Sequence, residues 1–268
     1  MASRFSLAKW RILLTVLPLT TLYGLAKVGM HRLGWELWQF DSLTGALFGA
    51  ATFVIAFVLN GTLNDFRASA EMPLQVANAI AAIEDSNQLV AKAESAYDPR
   101  PLTRDLAAVV QATLAWLQRG EAAAGAAIAL HQLNHSLAAL LPYGAPIVAR
   151  AQTEQAKIRL LLTQIGASRD TDFVGPAYVL LELFLVGAVI ALLLIGADSF
   201  SENLVVSCLL FTSFTYLLLL IRDLDNPFQY NGQSSVDADL SSLEEMRDRL
   251  QAALTAQISP AKAGAEPD

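Results

Sequence analysis

A single cysteine among 268 residues excludes any disulfide within the chain and gives no sign of an oxidising compartment. Cys208 lies inside an apolar stretch with no basic neighbour in sequence to favour the thiolate. It reads as an inert small residue facing a neighbouring helix. Charge is also scarce. Only 16% of residues are Asp, Glu, Lys or Arg, too few for an ordinary soluble surface. A net charge of −7 and the lack of any dense Lys/Arg run exclude a phosphate-binding stripe, so nucleic acid is not an expected partner. There is no G-x-x-x-x-G-K-[ST] loop, no Ser/His/Asp set and no nucleophile elbow. An enzyme reading therefore has no constellation behind it, and no cofactor or metal is expected.

What the chain has instead is hydrophobic length. Four apolar stretches run over Ile12–Val28, Leu43–Leu59, Phe173–Ile195 and Leu204–Ile221. Each approaches the length that crosses a ~30 Å hydrocarbon core at ~1.5 Å per residue. The expected fold is an all-α integral membrane protein with four spans. Its regions are a first helix pair (1–60), a helical block (61–172), a second helix pair (173–221) and a tail (222–268). Arg4, Lys9 and Arg11 precede the first stretch, and Gly24-Leu25-Ala26 is a weak cleavage candidate. A retained signal anchor is the expectation.

Lys and Arg mark the cytoplasmic side. Arg67, Lys157, Arg159, Arg169 and Arg222 flank the block and the fourth stretch; the first connection holds Arg32, with Lys27 at the edge of its span, and the connection Gly196–Asn203 carries only Asp198 and Glu202. Both termini and the block are thus expected in the cytoplasm, with the chain in a cell inner membrane. Trp10, Trp35 and Trp38 fit an interfacial aromatic belt, with Leu33 and Phe40 adding apolar surface to the first connection.

Within the block, Val76, Ile80, Ile83, Leu89 and Val90 recur near the helical period, and Pro73 suits the first position of a helix ending near Glu94. Asp98-Pro99-Arg100-Pro101 is a break. Thr103 is a plausible N-cap for a helix ending at Arg119-Gly120. Two more helices are expected over Ala122–Leu141 and Pro146–Ile165, with Gly166 as the stop of the second. The tail from Ile258 on, with Pro260, Gly264 and Pro267, is expected to be disordered.

Several residues invite a functional reading. His131 and His135 are four apart, a metal-compatible spacing, but Gln132 replaces the glutamate of a zinc-protease helix. A polar helix face accounts for them without a metal. Glu182 sits inside the third stretch, where a carboxyl group either ties helices together or lines a wet pathway. Equal depth in a hairpin would put it near Ser213 and Tyr216. Gly45 and Gly49 allow close helix approach. Phe53 and Phe57 continue that stripe, either packing against neighbours or forming an apolar constriction in a pore.

After the fourth stretch the chain reads Ile221-Arg222-Asp223-Leu224-Asp225-Asn226-Pro227-Phe228. After the second it reads Leu63-Asn64-Asp65-Phe66-Arg67, then Glu71-Met72-Pro73-Leu74. These segments, and the order of two spans, helical block, two spans, resemble the small bacterial bestrophin-like membrane proteins. The resemblance implies an oligomeric ion channel, five-fold in bestrophins, with the second helix lining the ion pathway. Carried over by position, the pore-lining residues would be Phe53 and Phe57, with Gly49 on the same stripe. The bestrophin tryptophan pair after the second span is replaced by Phe66-Arg67. The acidic calcium-binding run after Pro-Phe is replaced by Gln229-Tyr230-Asn231-Gly232. Partners implied are the lipid bilayer, further copies of the chain and ions. The alternative is a non-conducting membrane scaffold whose cytoplasmic helices bind a partner. Independently of family, Pro227 stops the fourth helix and Arg222 suits a membrane interface, so this segment reads as a docking turn, with a ligand or ion site as the alternative.

Overall fold

The computed structural model describes residues 2–170, 175–230 and 236–258. The described elements, in order, are α1 (Ala2–Arg32), β1 (Trp38–Gln39), α2 (Ser42–Ala93), α3 (Arg100–Arg119), α4 (Ala124–Ala138), a 3-10 turn (Leu141–Tyr143), α5 (Ala145–Asp170), α6 (Gly175–Leu194), β2 (Ile195–Gly196), α7 (Phe200–Asp225) and α8 (Ser241–Ile258). They form two compact units. The first holds α1, α2 up to Arg67, α6 and α7. The second holds α2 from Ala68 on, α3, α4, α5 and α8.

Among the described residues of the first unit, three helices are long and apolar enough to cross a membrane: Trp10–Arg32, α2 and α7. A shorter apolar helical segment, Tyr178–Leu194, belongs to α6. Phe173 and Val174, the start of the third apolar stretch, lie outside the described residues. α2 packs against α6 and α7, where Ile55 is buried with Leu181, Ala188, Phe214, Leu218 and Ile221. α1 lies on α7. Tyr23 stacks on Phe211 with ring centroids 4.5 Å apart, and the hydroxyls of Thr20 and Thr212 are 2.8 Å apart. A Cβ at Gly24 would meet the Cys208 sulfur at 3.4 Å. This places the cysteine against a neighbouring helix. The parallel pairing of Trp38 with Ile195 and Gln39 with Gly196 is the one strand pairing among the described residues.

The second unit has its own core. α3 buries Leu102, Leu106, Val109, Val110, Leu114 and Leu117, a helical periodicity whose other face is polar. Each such side chain contributes roughly 1.5–3 kcal/mol by leaving water. α3 closes at Gly120, whose φ of 70° is the left-handed conformation that glycine adopts without strain. Around Asn87, fully buried, the polar groups are satisfied in place. Its amide nitrogen reaches Glu84, Thr103 and the Pro99 carbonyl, and its oxygen accepts from the Tyr97 hydroxyl at 2.6 Å. Leaving any one of these groups unpaired would cost ~1–3 kcal/mol.

Three local expectations are corrected. Pro73 does not begin a helix, because α2 runs through it without interruption. One proline removes a single hydrogen bond, at a cost of about 3 kcal/mol that burial of Val76, Ile80 and Ile83 offsets. Thr103 is not the N-cap of α3. The helix starts at Arg100, and the Thr103 hydroxyl is buried against Glu84. Gly166 does not end α5, which continues to Asp170; it lies beside the Trp116 ring, which a Cβ there would meet in ordinary contact at 3.7 Å. The region after Asp225, for which the sequence offered no element, contains α8, which buries Leu243, Met246 and Leu250 on one face. The expected disordered tail falls, beyond Ile258, outside the described residues.

Candidate functional site

The face of α2 turned away from α6 and α7 is uncovered. Phe53 and Phe57 are 72% and 73% exposed, although both are large and apolar. Their spacing of four puts them on one side of the helix, opposite the buried Ala51 and Ile55. Ala46, Gly49 and Ala50 precede them on that side, and Asn60, Asn64 and Arg67 follow, all exposed. Nothing lies within 4 Å of a Cβ built at Gly49, and at Gly45 only the Phe40 ring does, at 3.7 Å. Within this chain the glycine pair therefore supports no close helix contact. The stripe changes chemistry along its length, from small to aromatic to amide to charge.

A second cluster was not legible in the sequence. Lys27 reads there as a charge at the edge of a span, yet its side chain is fully buried. The ammonium donates to the carbonyls of Leu193, at 3.2 Å, and Ile195. These lie at the C-terminal end of α6, where carbonyls lack helical partners and the helix dipole favours a cation. The same ammonium pairs with Glu36 at 3.1 Å, and Glu36 also meets His31 Nδ1 at 2.8 Å. The His31 ring stacks on Phe200 at 3.9 Å, and Asn203 Nδ2 donates to the Ile195 carbonyl at 2.9 Å. A Cβ at Gly196 would come within 3.1 Å of the Glu36 Cβ, so this close approach requires glycine or a shift of the loop. Burial pushes the Glu36 carboxyl up, but the hydrogen bonds and charges of His31 and Lys27 outweigh it, and the net shift is downward. The cluster ties the α1–α2 connection to the α6–α7 connection, beside the β1–β2 pairing. Lysine at helix spacing from apolar residues carries no sequence signal that would reveal it.

Glu182 pairs with Arg222, not with Ser213 or Tyr216 as equal depth suggested. Depth fixes the level of the backbone, whereas two long side chains bridge an offset between levels. Both remain about half exposed. Ser213 and Tyr216 instead line a groove of about 630 Å³ with Trp10, Leu13, Thr212 and Leu217. Beyond Arg222, α7 ends at Asp225 with Asn226 as its cap residue. Pro227 is buried, and Phe228 is completely buried in the core of the second unit. Asp223, Asp225 and Asn226 are each engaged with partners. His131 and His135 are both exposed on α4, and among the described residues no group of three His, Cys, Asp or Glu could hold a metal ion.

No protein-family model and no curated relative matches the chain. Solved structures do. A bacterial bestrophin homologue from Klebsiella pneumoniae aligns with a TM-score of 0.69 at 15% identity, over 91% of this chain and 97% of that one. A second structure of the Klebsiella homologue aligns at 0.70 over 92% and 98%, again at 15% identity. Another crystal structure, of a membrane protein, aligns at 0.73 and 14% identity over 90% and 98%. With its apolar helices, the chain is a multi-pass membrane protein that has the fold of a bacterial bestrophin homologue.

Proposed function

We propose that the chain is the protomer of a homo-oligomeric ion channel whose axis is lined by α2. In this reading α1, α2, α6 and α7 cross the inner membrane. The Lys/Arg bias then puts both termini and the helical block in the cytoplasm. A pentamer follows from the resemblance to bestrophins. The observation that carries the reading is the stripe on α2. Two phenylalanines more than 70% exposed, continued by Asn60 and Asn64 on the same face, suit neither a helix core nor a uniformly lipid-facing surface. Copies arranged about an axis would bring the rings together as a narrow apolar collar. Such a collar gates ions by resisting wetting, without any charge.

The test is ion flux from the purified chain in liposomes, with the Phe53→Ala/Phe57→Ala variant alongside. Shrinking the collar lets water in, so flux should rise. If the rings instead form a packed contact between copies, the same change forfeits roughly 3–5 kcal/mol per ring. The oligomer then weakens while flux stays at background, and the channel reading gives way to a non-conducting scaffold.

A further inference from the structure

We infer that Asn60 and Asn64 form the amide band at which a permeating ion exchanges hydration water for protein groups beside the apolar collar. The inference rests on the channel reading and adds to it the residues that handle the ion. Asn64 lies seven residues beyond Phe57, about 10.5 Å along the helix and only ~20° away around it. Asn60 lies between them, less than a turn past Phe57. Both asparagines are exposed, on the unpacked side of α2. The buried Thr62, between them in sequence, turns its hydroxyl back to the Val58 carbonyl at 3.0 Å, so it is occupied within the helix. No hydrogen bond joins the side chain of Asn60 or Asn64 to another described residue, which leaves two donors and an acceptor on each amide available.

The chemistry follows from the order of the bands. An apolar collar offers an ion nothing in exchange for its water shell, so the barrier there depends on what stabilises the ion just before entry. A ring of amides can do this for either sign of charge. The carbonyl oxygens solvate a cation and the NH2 groups solvate an anion. The neighbouring small residues Gly61 and Ala68 keep this side of the helix from filling the space beside the amides.

The experiment uses the full chain in planar bilayers, in the Phe53→Ala/Phe57→Ala background so that the collar is open. Adding Asn60→Ala/Asn64→Ala should lower single-channel conductance about tenfold, the effect of losing hydrogen-bonding groups at the entry step. Asn60→Gln/Asn64→Gln keeps the amides and should restore most of it, which separates ion handling from misfolding. Asn64→Asp should move the reversal potential in a KCl gradient toward the potassium equilibrium value. If the open-collar parent conducts but the alanine pair leaves conductance intact and Asn64→Asp leaves the reversal potential in place, the amide band is off the pathway; the channel reading stands and this inference falls. If no assembled variant conducts, the channel reading fails and the inference with it.

Discussion

Replacing Lys27 with methionine tests whether the buried ammonium holds the two helix connections together. Methionine keeps most of the apolar stem and removes only the charge and its donors. Three acceptors lose their partner: the Leu193 carbonyl, the Ile195 carbonyl and Glu36. Ile195 keeps the donor from Asn203, and Glu36 keeps His31. The dominant cost is a carboxylate only 13% exposed that has lost its main counter-charge. Breaking a buried pair in this one-sided way costs ~3–5 kcal/mol. The residual histidine contact argues for the lower end, about 3 kcal/mol. At ~2–4 °C per kcal/mol that lowers the melting temperature by roughly 6–12 °C. The assay is heat unfolding in mild detergent followed by tryptophan fluorescence, since Trp35 and Trp38 belong to the affected connection. Lys27→Met/Glu36→Gln should recover part of the loss, because no charge is then stranded. A single variant that melts within ~2 °C of the parent would refute the claim that this ion pair is buried and stabilising.

Two further predictions concern pH and sidedness. Because the Glu36 carboxyl titrates below its ordinary value of 4.5, its contribution to stability is present above that value and is lost as pH falls through the lowered one. The melting temperature of the parent should therefore drop more steeply below pH 4.5 than that of Glu36→Gln; identical acid slopes would remove Glu36 as a stabilising carboxylate. For topology, Glu121→Cys, at a side chain 57% exposed, should resist an impermeant thiol label added outside intact cells and react once they are opened. Labelling in intact cells would place the helical block on the other side of the membrane.

Much of this protein was determined by local sequence alone. Hydrophobic length identified the apolar helices, because a backbone in lipid must satisfy its own hydrogen bonds and so becomes helical. Asp98-Pro99-Arg100-Pro101 and Gly120 marked chain breaks because their backbone preferences act within a few residues. The tertiary structure decided what depends on partners distant in sequence. Pro73 stays within a helix because the burial around it outweighs one lost hydrogen bond. Lys27 is buried because the carbonyls at the end of α6 and the carboxylate of Glu36 converge on it, a convergence that no spacing in α1 encodes. Glu182 finds Arg222 across an offset that depth alone does not predict. Phe53 and Phe57 were legible as one stripe in the sequence, since periodicity defines a helix face. That α6 and α7 cover the opposite face and leave this one open is a property of packing, and periodicity is silent about which side of a helix its neighbours occupy.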